Sequence, residues 1–218
     1  TEWVNPLASI ESTNSGASWT SVSAGLPAGV VSSVLAFTSS NTVWATVVGS
    51  GIYRSTDGGA TWTLKGNSVF DRRAISKIVV DPSNTNILYA AVATAANGLG
   101  GNMGIWKSTD GGTTWSNTTT SITTSYSYSD LVMDPTNPQV LYAAVGTTGG
   151  HATNGVYKTT NGGATWARAG DFPAGSDSNV GRITLAISPS SPQTLYGAIV
   201  SVTTSGLYKM MKTTNGGT

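Results

Sequence analysis

The 218-residue chain has no cysteine, which excludes disulfides, thiolate metal sites and a cysteine nucleophile. Charge is scarce: 10% of residues are Asp, Glu, Lys or Arg, against about 25% in an ordinary soluble domain. The 11 basic and 10 acidic side chains leave a formal charge of +1. Basic residues cluster no further than Arg72-Arg73, which argues against a nucleic-acid partner. The single histidine, His151, cannot build a metal site alone, so no metal and no cofactor are expected. No apolar run approaches the roughly 18 residues of a membrane-spanning helix, so no membrane insertion is expected. No signal-peptide pattern is present, which fits a mature form, a cytosolic protein or an excerpt of a longer chain. Helical periodicity of useful length is missing as well.

Glycine, serine and threonine fill the space that charge leaves, and they fall in a repeated order. Ser55-Thr56-Asp57-Gly58-Gly59-Ala60-Thr61-Trp62 returns as Ser108-Thr109-Asp110-Gly111-Gly112-Thr113-Thr114-Trp115. It returns with Asn for Asp at residues 159–166, more weakly at 12–19, and again from Thr213 to Thr218. The starts at 12, 55, 108, 159 and 213 are separated by 43, 53, 51 and 54 residues, the spacing of a propeller, solenoid or array. Asp-Gly and Asn-Gly are strong hairpin signals, because glycine takes positive φ without steric cost. The Ser or Thr two residues earlier can bond the same turn. Trp19, Trp62, Trp115 and Trp166 share one position in the motif, a regularity that points to packing.

Ser/Thr-x-Asp-x-Gly-x-Thr-Trp resembles the Asp-box, or bacterial neuraminidase repeat, and the resemblance runs over most of the chain. It implies a β-propeller in which the motif turns join the third and fourth strands of each blade, away from any active site. Sialidases, sortilin-type receptors, xyloglucan-cleaving hydrolases and photosystem assembly factors share it, so it names a fold and leaves function open. On this reading the structural residues are Ser55, Asp57, Gly59 and Trp62, then Ser108, Asp110, Gly112 and Trp115, then Asn161, Gly163 and Trp166. Asp110→Ala is expected to lower stability by orphaning turn amides while sparing ligand affinity.

Strand-and-turn patterning agrees with an all-β propeller, or a large part of one, built of four-stranded antiparallel blades. Strands are expected at 31–37, 42–48 and 51–54, followed by one opening at Trp62. The order recurs at 75–80, 87–93 and 104–107, then Trp115; at 129–133, 140–145 and 155–158, then Trp166; and at 183–187, 194–200 and 206–209. The repeats are placed at about 1–29, 30–73, 74–127, 128–181 and 182–218 of a single domain, the first and last partial. Asp81-Pro82 and Asp134-Pro135 mark the turns between first and second strands. Leu88-Tyr89-Ala90-Ala91 and its counterparts at 141–144 and 195–198 carry small residues that let sheets pack closely. Arg54 aligns with Lys107, Lys158 and Lys209 in the third strands, as structural or solvated positions.

The longer connections, 65–74, 94–103, 116–128, 147–154 and 167–182, emerge on one face in such a fold, and that face is the expected place for function. A glycosidase needs two carboxyls flanking the scissile bond, and Asp71, Asp171 and Asp177 are the candidates in those loops. Glu2, Glu11 and Asp130 also lie outside the repeat pattern. Ligand contacts are expected from Arg72, Arg73, Tyr126, Tyr128, His151 and Phe172, with the loop aromatics, Phe70 among them, either stacking on sugar rings or packing over blade edges.

Two functions follow from this face: a non-catalytic binding or assembly module outside the cytoplasm, and a glycoside hydrolase of xyloglucanase or sialidase type, or a fragment of one. The partners are then carbohydrate, protein, or copies of the chain meeting through their ends. For the last of these, residues 1–5 are expected to pair with the strand around 206–212, in cis or in trans.

Overall fold

The computed structural model describes residues 10–12, 14–27, 31–37, 41–93, 102–170, 172–173 and 177–218. A two-stranded ladder opens the chain, β1 (Ile10–Glu11) against β2 (Thr20–Ser21). Three four-stranded antiparallel sheets follow. The first is β3 (Val31–Phe37), β4 (Val43–Val47), β5 (Gly51–Ser55) and β6 (Thr63–Lys65). The second is β7 (Ala74–Val80), β8 (Leu88–Ala93), β9 (Gly104–Ser108) and β10 (Ser116–Asn117). The third is β11 (Tyr128–Met133), β12 (Leu141–Val145), β13 (Gly155–Thr159) and β14 (Ala167–Arg168). A three-stranded sheet of β15 (Val180–Ile187), β16 (Leu195–Ser201) and β17 (Leu207–Thr213) ends it. We number these five units blades 1 to 5.

Each sheet is a meander in which neighbours in sequence are neighbours in space, as tight turns require. The first strands then stack in series: β7 packs on β3, β11 on β7 and β8, and β15 on β11 and β12. That is the radial arrangement of a β-propeller. Between blades lie three apolar clusters, one centred on Trp44, Phe70 and Leu88, one on Tyr89, Ile105 and Leu131, one on Tyr142, Phe172 and Ile183. β12 is buried along its whole length, which its Leu-Tyr-Ala-Ala-Val sequence permits because the alanines let both neighbouring sheets approach.

The repeated turns explain themselves at the atomic level. In blade 2, Asp57 Oδ1 accepts from the Thr61 amide (2.9 Å) and from Ser55 Oγ (2.7 Å), and Ser55 Oγ accepts from the Gly59 amide (2.7 Å). Asp110 and Ser108 repeat this in blade 3, and Asn161 with Thr159 in blade 4. The two central glycines stand at positive φ, for instance Gly111 at 69° and Gly112 at 83°. The first of them donates its amide to the turn between first and second strands of its own blade, Gly111 to Asn86 O and Gly162 to Gln139 O. Asp81 and Asp134 close those turns by accepting from the residues that follow their prolines. Both sets of turns therefore occupy one face, opposite the longer loops.

An aromatic and a cation bind blade 2 to 3, blade 3 to 4 and blade 4 to 5. Tyr89 and Lys107 are cross-strand partners in blade 3, and both donate to Gly162 O in the motif turn of blade 4, at 2.9 and 2.8 Å. Tyr142 and Lys158 of blade 4 hold Gly216 O of blade 5 in the same way, at 3.1 and 2.9 Å. Each lysine lies over its tyrosine ring, and burial pushes the Tyr89 hydroxyl up to about 12. In blade 2 the pair is Trp44 with Arg54, packed against Gly112 and Gly111 of blade 3.

Two expectations change here. The blade 5 counterpart of Arg54, Lys107 and Lys158 is Lys212, which pairs with Tyr196, and not Lys209. The reason is that β17 continues four residues beyond the expected strand end, after a register shift at Ile199/Val200. A single helical turn, α1 (Asn67–Phe70), also occurs where none was expected, because one turn is too short to show a period. Residues 1–5, expected to pair with β17, lie outside the described residues.

Candidate functional site

All four first strands carry a bulge near the end that meets the long loops: Ser32/Leu35, Ile75/Lys77, Tyr128/Asp130 and Val180/Ile183. A bulge breaks the strict in-out alternation and re-aims side chains. Ser76 and Ser129 are bulge residues, and each hydroxyl reaches across to the next first strand, Ser76 to Tyr128 O (2.6 Å) and Ser129 to Ile183 O (2.7 Å). Beside them the buried Asp130 joins the same two strands, accepting from the Leu131 and Leu185 amides at 2.8 Å each. The expected set of free carboxylates thus loses Asp130, which is committed to the seam between blades 4 and 5.

These bulges border an open cleft of about 370 Å³ spanning blades 3, 4 and 5 on the long-loop face. Among the described residues its wall joins apolar Ala74, Ile75 and Ala93 to hydroxylated Ser76, Ser127, Ser129, Thr147 and Thr148, with the exposed Arg182 as the one charged side chain. The loops beside it are pinned. Asn154, fully buried, donates to Val180 O at 2.7 Å, tying the 147–154 connection to blade 5. Arg168 lies over Tyr157 and donates to Ala152 O, Asn154 O and the Tyr157 hydroxyl, each at 2.9 Å.

Tyr126 and His151, 25 positions apart, come together as a stacked pair with ring centres 3.8 Å apart and planes at 28°. Tyr126 adjoins Ser127 in the cleft wall, and His151 closes the loop that begins with Thr147 and Thr148. The Thr153 amide donates to His151 Nδ1 (3.2 Å), which places the imidazole proton on Nε2. Both rings are half-buried, so the pair offers an apolar edge with polar tips beside a hydroxyl-lined wall.

The other expected contacts separate. Asp71 and Arg72 are largely exposed, 3.9 Å from one another, in the turn after α1. The Arg72 amide donates to Gly49 O, and Arg73 O accepts from the Gly49 amide, so this turn folds back onto blade 2. Tyr128 and Phe172 prove to be core residues: Tyr128 is fully buried among Leu131 and its neighbours, and Phe172 packs under Gly197. Phe70 is buried too, edge-on to Trp106 and Trp115. All three pack inside and are withdrawn from a ligand on this face. Asp177 accepts from Lys209 Nζ (3.1 Å) and from the Tyr208 hydroxyl (3.1 Å), and the Lys209 bond holds it below the usual carboxylate range. A general acid for glycoside cleavage needs the opposite displacement. Asp171 lies outside the described residues. Arg182 and the two bulge serines were missed by sequence reasoning; the signal available was a lone arginine aligned with Ile75 and Tyr128 in the first strands. Among the described residues no group of three metal-binding side chains occurs, and no helix is long and apolar enough to cross a membrane.

The fold defines a class, a β-propeller of four-stranded antiparallel blades. The chain belongs to the Sortilin-Vps10 family (sortilin, neurotensin receptor 3), whose pattern matches residues 50–175. A xyloglucanase of Hypocrea jecorina (strain QM6a) is 33% identical over 145 residues, which are 53% of this chain and 16% of that enzyme. The GH74 xyloglucanase of Xanthomonas campestris superimposes with a TM-score of 0.64 at 20% identity, over 87% of this chain and 30% of that one. YCF48 from Cyanidioschyzon merolae gives a TM-score of 0.57 at 16% identity, over 92% of this chain and 58% of that one. The chain thus spans a minor part of the length of the xyloglucanases it matches.

Proposed function

We propose that this chain is a glycan-binding part of a xyloglucanase-like propeller that works outside the cytoplasm, and that its long-loop face holds a β-glucan chain. The observation that carries this reading is the hydroxyl-lined cleft with Arg182 in its wall and the Tyr126–His151 stack at its side. Sugars present hydroxyls around an apolar ring face. Short hydroxylated side chains and a guanidinium match the first, and an aromatic edge matches the second. The scarcity of charge suits a neutral polysaccharide and an extracytoplasmic setting. Asp177 is bound to Lys209, which argues against it as the acid of a hydrolytic carboxyl pair and favours the binding reading.

Isothermal titration with xyloglucan oligosaccharides, run beside a hydrolysis assay on the same material, tests this. Saturable binding is expected, with Arg182→Ala and Tyr126→Ala each weakening it by about tenfold, or ~1.4 kcal/mol. Binding without turnover supports the reading as stated, and binding with turnover would move the chain to a complete hydrolase. Failure to bind any β-glucan overturns it.

A further inference from the structure

The third strands of blades 2, 3 and 4 each open on a glycine at positive φ: Gly51, Gly104 and Gly155. Against that glycine lies one residue of the fourth strand, Leu64, Asn117 and Arg168 in turn. All three stand at one register, opposite Tyr53, Trp106 and Tyr157. In blade 4 a Cβ on Gly155 would collide with Arg168 Nη1, so the glycine makes room for the guanidinium.

The side chain at this register changes with the connection beside it. In blade 2 only residues 48–50 join the second and third strands, and leucine packs on Gly51. The connection is longer in blade 3, where Asn117 donates to its last carbonyl, Met103 O, at 2.9 Å. In blade 4 the forked guanidinium reaches further. Arg168 Nη1 donates to Asn154 O, and Nη2 donates to Ala152 O and to the Tyr157 hydroxyl, each at 2.9 Å. That hydroxyl donates in turn to Thr153 O at 2.9 Å. Three successive carbonyls, 152 to 154, are therefore held from outside the connection.

These three residues carry His151 and the cleft wall. The Thr153 amide donates to His151 Nδ1, the Thr153 hydroxyl lies 2.9 Å from the same atom, and the Asn154 amide donates to His151 O at 2.9 Å. The imidazole so placed is the one stacked on Tyr126. Asn154 Oδ1 accepts from the Thr147 amide at 3.3 Å, which fixes the first wall residue of the connection. Arg168 itself is exposed and takes no part in the cleft wall.

We propose that Arg168 is a positioning residue for glycan binding, a role that rests on the glycan reading of the cleft. Its fork fixes carbonyls 152 to 154, and through them His151 against Tyr126 and Thr147 in the wall. This side of the cleft is then in place before a glycan arrives, which spares the ligand the cost of ordering it.

The single histidine supplies the readout. Its ring-proton NMR signals have no counterpart elsewhere in the chain, and the ring current of Tyr126 displaces them from those of a free imidazole. Arg168→Met keeps the stem and removes the donors. Tyr157→Phe is the milder change, keeping the ring and freeing Thr153 O. Without sugar and at one fixed pH, both variants should move the His151 signals toward those of a free imidazole. Titration calorimetry with xyloglucan oligosaccharides should then show Arg168→Met binding about tenfold more weakly, the cost of ordering one or two freed side chains. Asp110→Ala, in a motif turn on the opposite face, should lower the melting temperature and leave both readings as in the wild type. His151 signals that stay in place in both variants overturn the proposal. So do displaced signals with unchanged affinity, which leave glycan binding standing and remove Arg168 from it. An Asp110→Ala protein that shifts the signals equally also overturns it, since the effect is then one of general stability. A wild type that binds no β-glucan removes the glycan reading and the positioning role with it, whatever the His151 signals show.

Discussion

At Asp57 and Asp110 a carboxylate holds its own turn closed. Each accepts from a threonine hydroxyl and amide four residues on, and from a serine two residues back. The threonine hydroxyl bond is the leading reason that both carboxyls titrate near 2 instead of 3.8. A pKa depressed by folding contributes stability that is complete above the ordinary value and disappears as pH falls through the folded one. The melting temperature should therefore drop between about pH 4 and pH 2 as these two turns protonate. Blade 4 has Asn161 at the same place, making the equivalent bonds with a group that does not ionise. Asp57→Asn with Asp110→Asn should then melt much as the wild type does at pH 7 and lose most of this acid slope. A thermal-melt series across that range decides it, and an unchanged slope in the double variant would put the acid sensitivity elsewhere.

At the scale of the element, the first strands do two jobs, and both centre on their bulges. The bulge places Ser76 and Ser129 in the cleft wall, and their hydroxyls together with Asp130 stitch β7 to β11 and β11 to β15. Asp130→Ala leaves the Leu131 and Leu185 amides without their acceptor at a buried seam, which costs about 1–3 kcal/mol. Chemical denaturation should show that loss as a lower midpoint; a midpoint shared with the wild type would mean that water replaces the carboxylate there. The strands themselves were legible in the sequence, since Val, Ile and Tyr runs between Pro and Gly turns recur at a nearly fixed spacing. The bulges were not, because an extra residue in one strand is defined only by its partner. The fate of the loop aromatics was hidden for a related reason. Phe70, Tyr128 and Phe172 go inward because neighbouring blades offer Trp106, Leu131 and Gly197 as packing partners, while Tyr126 meets His151 across 25 residues. Alignment alone also misplaced the last cation of the blade-to-blade contact, because β17 runs on without the long insertion that separates the hairpins of blades 3 and 4.

Across the whole molecule, the two faces of the blades divide the labour. One face gathers the Pro turns and the motif turns, where carboxylates and glycines serve the fold. The other gathers the long connections, the bulged strand ends, the cleft and the Tyr126–His151 pair. Membership in the Sortilin-Vps10 family and likeness to solved propellers go with the blade architecture; the charge-poor, hydroxyl-bearing wall of the second face is the ground for the glycan proposal. Hydrogen-exchange mapping with a xyloglucan oligosaccharide tests that division most directly. The account predicts slowed exchange at 74–76, 126–129, 146–151 and 182, with the motif turns unchanged. Slowing confined to the turns around Asp57, Asp110 and Asn161, with none at the cleft, would contradict it.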